Sequence, residues 1–128
     1  MDKLKLWIKT YLENKDIINN EIKKISDKDN SIIVEYENYS KEFIVEPNLE
    51  KIDLNKNIGI VFMNNKENLD QVIKKWTQLK KNENIIIYFV NPEIDQKWII
   101  KPYIHSKIAD QSTLKKGLKA MAESIQPC

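Results

Sequence analysis

Leu4, Ile8, Tyr11, Ile18, Ile22 and Ile25 recur at spacings of 4, 3, 7, 4 and 3 residues, which sets them along one face of a helix. The pattern predicts helix over the first 25 residues, with Trp7 joining the apolar face from the side. Lys15 falls where a continuous stripe needs an apolar residue. Asn14-Lys15-Asp16 therefore divides the segment into two shorter helices, with Asn14 or Asp16 capping the second. The polar cluster from Ser26 to Ser31 ends it. From Ile32 the period changes to two. Ile32, Val34 and Tyr36 share one face and Glu35 and Glu37 the other, and Lys41 to Glu46 alternates likewise with Phe43 and Val45 inward. This predicts a hairpin turned by Asn38-Tyr39-Ser40 and closed at Pro47, which has no ladder donor. Residues 48–56 read as a loop or a short helical turn around Leu49, Ile52 and Leu54.

The firmest signal lies in the middle of the chain. Ile58 to Met63 is wholly apolar, a strand with no wet face, and Ile85 to Val90 is a second. Between them Leu69, Val72, Ile73, Trp76 and Leu79 form a helical stripe. Asn64 offers an N-cap, with Glu67 three positions on as in a capping box. Two buried strands joined through a helix are typically parallel, with a right-handed crossover. Lys97 to Lys101 reads as a further short strand stopped by Pro102, and Tyr103 to Ala109 shows no clear period. A last helix opens at Asp110 or Ser112 and presents Leu114, Leu118, Met121, Ala122 and Ile125. Gly117 within it costs about 1 kcal/mol relative to alanine, which suggests close packing of another backbone. The expectation is one α/β (α+β) domain over residues 1–128. Its mixed sheet has about four to five strands, a hairpin beside the parallel pair, and helices on both faces.

Composition narrows the setting. The longest apolar run, Ile85 to Val90, is far short of the roughly 20 residues of a membrane helix. The start of the chain has no signal-peptide core, and Cys128 is the only cysteine. A cytoplasmic protein without disulfides is expected, and no membrane partner. The net charge is +2, but residues 97–128 hold six lysines against two acids, whereas residues 1–57 hold ten against twelve. All 21 basic residues are lysine, so the planar fork with which arginine reads phosphate and guanine is missing. An AT-rich genome explains the joint excess of Lys, Ile and Asn most simply.

Candidate chemistry is sparse. His105 is the sole histidine. It could serve as acid or base with Asp110 orienting it and Lys101, Tyr103 and Lys107 around it. A lone histidine in an irregular segment is, however, more often structural. Asp95-Gln96-Lys97 has the acid-x-lysine spacing of metal-dependent nucleases, although Glu13-Asn14-Lys15 and Glu21-Ile22-Lys23 repeat it in the helical region. The order helix, three strands, helix, strand over about residues 1–91 is similar to the core of the restriction-endonuclease-like superfamily. That resemblance implies an acid-x-lysine pair on the third strand, here Ile58 to Met63, and the pair is missing there. Lys115, Lys116 and Lys119 form a basic face, with Lys74, Lys75 and Lys81 on the preceding helix, able to follow a phosphate backbone by charge alone.

Asn64-Asn65 lies at the carboxyl end of a presumed parallel strand, where open α/β sheets bind ligands. Gly59 and Gly117 are the only glycines and build no phosphate loop. No cofactor is expected, and metal ligation is disfavoured because one histidine has only carboxylates to join it. Trp76 belongs to the core, while Trp7 and Trp98 could anchor a partner. The leading expectation is a non-enzymatic interaction module. Its binding surface would be Lys101, Tyr103, His105, Lys107, Lys115, Lys116 and Lys119 within residues 97–119, facing an acidic protein or a nucleic-acid backbone. The alternative is a nuclease- or hydrolase-like enzyme using Asp95, Lys97, His105 and Asp110. A structural homo-oligomer is the third.

Overall fold

In the computed structural model, which describes residues 2–108 and 110–128, six strands form one sheet in chain order. Met1 and Ala109, each at one end of a segment discussed above, lie outside the described residues. The strands are β1 (Ile22–Lys28), β2 (Ser31–Tyr36), β3 (Ser40–Val45), β4 (Ile58–Met63), β5 (Ile86–Asn91) and β6 (Gln96–Ile100). β3, β4 and β5 run parallel to one another, and every other neighbouring pair is antiparallel. The α/β class, the hairpin and the parallel β4–β5 pair are as expected, with more strands than the pattern suggested.

Helix α1 (Asp2–Lys15) covers one face of the sheet. There Leu4, Ile8 and Leu12 pack with Ile32, Val34, Phe43, Val45, Val61, Tyr88 and Val90. The other face carries α2 (Lys66–Lys74), α3 (Trp76–Leu79) and α5 (Leu114–Ala122). Ile58, Ile60, Phe62, Ile87 and Phe89 point into that core, against Leu69, Val72, Trp76, Leu79, Leu114 and Leu118. Strands β4 and β5 are thus buried on both sides, which is why they carry no polar alternation. Gly59 is required by register. It faces Phe43 on β3, and a Cβ there would lie 2.3 Å from the Phe43 ring. No helix among the described residues is long and apolar enough to cross a membrane.

The structure departs from the pattern in several places. The second half of the expected N-terminal helix is strand β1. Its pairing shifts between Ile22 and Lys24 as a β-bulge, and the extra residue lets Ile22 and Ile25 face the same core at a helical spacing. Asp16 caps no second helix. Its carboxylate accepts the backbone N–H groups of Glu21 and Ile22 at 2.7 and 2.9 Å, and Asn20 turns the chain at φ 51°. In the β-α-β unit the N-cap is Asn65 rather than Asn64, accepting from the Asn68 N–H at 3.0 Å, and the helix breaks at Lys75. The segment from Tyr103, read without a period, belongs to α4 (Pro102–Ile108), which starts on a proline. Among its described side chains only Pro102 is buried, so no apolar stripe announces it. Finally, a Cβ at Gly117 would meet nothing within 4 Å. Gly117 is exposed, and no backbone packs against it.

Candidate functional site

The residues singled out in the sequence are spread over the molecule. Asp95, at φ 51° in the β5–β6 turn, accepts a hydrogen bond from Trp7 Nε1 at 2.7 Å. The Lys97 ammonium stands 5.2 Å from the Tyr11 ring centroid. Both therefore lie on the α1 side of the sheet. His105 sits on the other side, its half-buried ring edge-on to Trp76 at 5.8 Å. The Trp76 indole N–H is buried with no hydrogen-bond partner, so His105 meets it as an aromatic neighbour. Asp110 accepts the Ser112 N–H at 3.1 Å, opening the turn before α5. No hydrogen bond or ion pair among the described residues links His105 with Asp110, Asp95 or Lys97, and the four share no pocket.

Strand β1 also changes the count behind the endonuclease-like element order. The third strand is Ser40–Val45, and it too lacks an acid-x-lysine pair. Among the described residues no three His, Cys, Asp or Glu side chains converge as a metal site would need.

The lysines differ in their surroundings. Lys74 and Lys75 both reach Glu50, at 3.5 and 3.0 Å, so that part of the expected basic face is neutralised. The Lys75 hydrogen bond and its charge hold the Glu50 carboxyl below the usual range. Lys107 lies 4.2 Å above the half-buried ring of Tyr103. Lys115, Lys116 and Lys119 are exposed on α5.

Two ends of the sheet hold polar groups. At the carboxyl ends of β4 and β5, Asn64 and Asn91 are 2% and 6% exposed. The Asn64 amide donates to the Ala122 carbonyl at 3.0 Å and accepts from Trp98 Nε1 at 2.9 Å. Asn91 donates to the Gln126 carbonyl at 3.2 Å, and the Cys128 N–H donates to the Asn64 carbonyl at 2.9 Å. Burial, first of all, pushes the Cys128 thiol up. Segment 123–128 thus lies across the crevice where open α/β sheets ordinarily take ligands.

The opposite end is open. A cleft of about 420 Å³ lies between the end of α1, the starts of β1, β3 and β5, and the end of β6. Phe43, Ile86 and Tyr88 line it, with Lys41, Lys101, Tyr36, Tyr39, Asp16 and Glu21 around them. The Lys41 ammonium donates to the Asn84 carbonyl at 2.9 Å and, among the described residues, reaches no carboxylate within ion-pair distance. Burial and then the Lys101 charge push it down to about 8. Tyr36 and Tyr39 stack with centroids 4.8 Å apart. Burial, Tyr39 and the charges of Asp16 and Glu21 push the Tyr36 phenol up. Burial does the same, more strongly, to Tyr88.

Of this cleft only Lys101 stood out in the sequence. Lys41 was nonetheless visible, because it shares the parity of Phe43 and Val45 and so opens a strand at an inward position. Comparison with protein-family models, with curated proteins and with solved structures found no match.

Proposed function

We propose that the chain is a non-enzymatic interaction module that engages an acidic protein through the lysines of α4 and α5. One observation carries this reading. Each of the five ion pairs among the described residues uses a lysine before position 97, namely Lys3, Lys9, Lys28, Lys74 or Lys75. Lys107, Lys115, Lys116 and Lys119 have no such partner, and Asp110, one of two acids in that third, is spent on capping. A charge left uncompensated by its own chain is available to a partner and draws it in from a distance.

Apolar side chains accompany the charge. Ile104, Ile108 and Met121 are 51%, 81% and 41% exposed on the same two helices. Such a mixture suits a protein surface better than a phosphate backbone, which offers little for isoleucine to cover. The absence of arginine weighs the same way. We place the module in the cytoplasm, where its free thiol stays reduced.

Poly-L-glutamate, with a single-stranded oligonucleotide beside it, is the probe. Binding of poly-L-glutamate should weaken steeply with salt. A variant with Lys115, Lys116 and Lys119 all changed to Gln should bind it at least tenfold more weakly. Unchanged binding by that variant overturns the reading, and stronger binding of the oligonucleotide replaces the protein partner with a nucleic acid.

A further inference from the structure

We propose that the cleft at the amino ends of the parallel strands is a second, separate site, for a small zwitterion with an apolar side chain such as a free α-amino acid. Its carboxylate would lie between Lys41 and Lys101, and its ammonium toward Asp16 and Glu21.

The size is that of a small-molecule site, about 420 Å³, near the lower part of the roughly 300–1,000 Å³ such pockets span. Its walls differ in sign. Lys41 and Lys101 repel each other on one side, and no ion pair among the described residues relieves them. On the other side Asp16 and Glu21 act on the Tyr36 phenol. Both Asp16 oxygens are fixed by backbone N–H groups at 2.7 and 2.9 Å, which orients the carboxylate and leaves its charge in place. Between the walls lie the apolar Phe43 and Tyr88 rings, 6.2 Å apart.

The overall balance decides between ligand classes. Three lysines and three acids line the cleft, Lys15 and Glu83 completing the two sets. A simple anion gains little from a lining of zero net charge. A dipolar ligand gains at both ends, and an apolar side chain covers Ile22, Ile86 and Ile104, the cleft's partly exposed apolar residues. The cleft uses none of the α5 lysines and shares only Ile104 with the α4–α5 surface, so different residues test the two sites and either can fail without the other.

The test is an NMR titration of the isotope-labelled full chain with L-phenylalanine and with L-leucine. N-acetyl-L-phenylalanine, which lacks the ammonium, and L-phenylalanine amide, which lacks the carboxylate, are the controls. Saturable shifts at cleft residues are expected from a free amino acid, with both blocked forms at least tenfold weaker. Lys41→Gln should weaken the free amino acid by a similar factor, while the triple lysine variant of α5 leaves it unchanged. Equal binding of blocked and free forms overturns the proposal, as does the lack of any saturable shift from both amino acids.

Discussion

The two ends of the parallel strands treat polarity in opposite ways. At the carboxyl ends the buried amides of Asn64 and Asn91 are matched by carbonyls of the chain's own segment 122–127, and Trp98 completes the network. At the amino ends Lys41 is half buried, faces a second lysine, and donates to the Asn84 carbonyl. The first end resembles a finished core, the second an arrangement awaiting a group the chain does not supply. Buried polar groups without good partners cost stability. Their persistence in an open cleft is the argument that the amino end is a binding end. At the carboxyl ends the chain's own tail takes up the amides of Asn64 and Asn91, and the cavity of about 570 Å³ left beside Asn64 and Asn65 is walled in part by that tail.

The largest effect should come from opening the closed end. Asn64→Ala leaves the buried Trp98 N–H without an acceptor and frees the tail carbonyls. It should cost about 3 kcal/mol, from roughly 1–3 kcal/mol per orphaned group, read from urea unfolding. A loss below about 1 kcal/mol would mean that the tail network is not holding this end together.

Gly59→Ala tests the floor of the amino-end cleft. Its Cβ would overlap the Phe43 ring, a cleft residue, and overpacking of this kind costs about 1–3 kcal/mol. Full stability in the variant would show that Phe43 moves aside and that the cleft floor is soft.

Lys41→Met should act in the other direction. Burial and Lys101 lower the folded-state pKa of Lys41, so between about 8 and its ordinary value the unfolded chain binds more protons. Stability of the wild type should therefore rise with pH through that window. In the variant this rise should disappear, and stability at pH 7 should increase by less than either loss above. An unchanged pH profile would remove the contrast between the two ends.

The smallest effect is expected on α5. Changing Lys115, Lys116 and Lys119 to Gln should alter stability by no more than about 0.5 kcal/mol, as for surface positions outside networks.

How far the sequence carried this account depends on whether a signal was local. Strands β4 and β5 and helix α2 were legible because apolar runs and a 3.6-residue stripe report burial directly. Strand β1 was not, because a bulge gave Ile22 and Ile25 a helical spacing within a sheet. Helix α4 escaped because its exposed isoleucines, Ile104 and Ile108, break no rule of a loop. The cleft was hidden for a different reason. Its members, from Leu12 to Ile104, come together only through sheet order, which no spacing along the chain encodes. Lys41 left one trace, an inward parity on β3. The grouping of Asp95, Lys97, His105 and Asp110 rested on nearness in sequence, and the sheet separates Asp95 and Lys97 from His105.

The pH titration of the Lys41 side chain, followed by NMR at its labelled ε-carbon, tests the contrast between the ends most directly. A midpoint near 8 is expected, with a return toward the ordinary value in Lys101→Gln as the like charge is removed. A Lys41 midpoint near 10.4, the value of a free lysine side chain, would contradict this contrast.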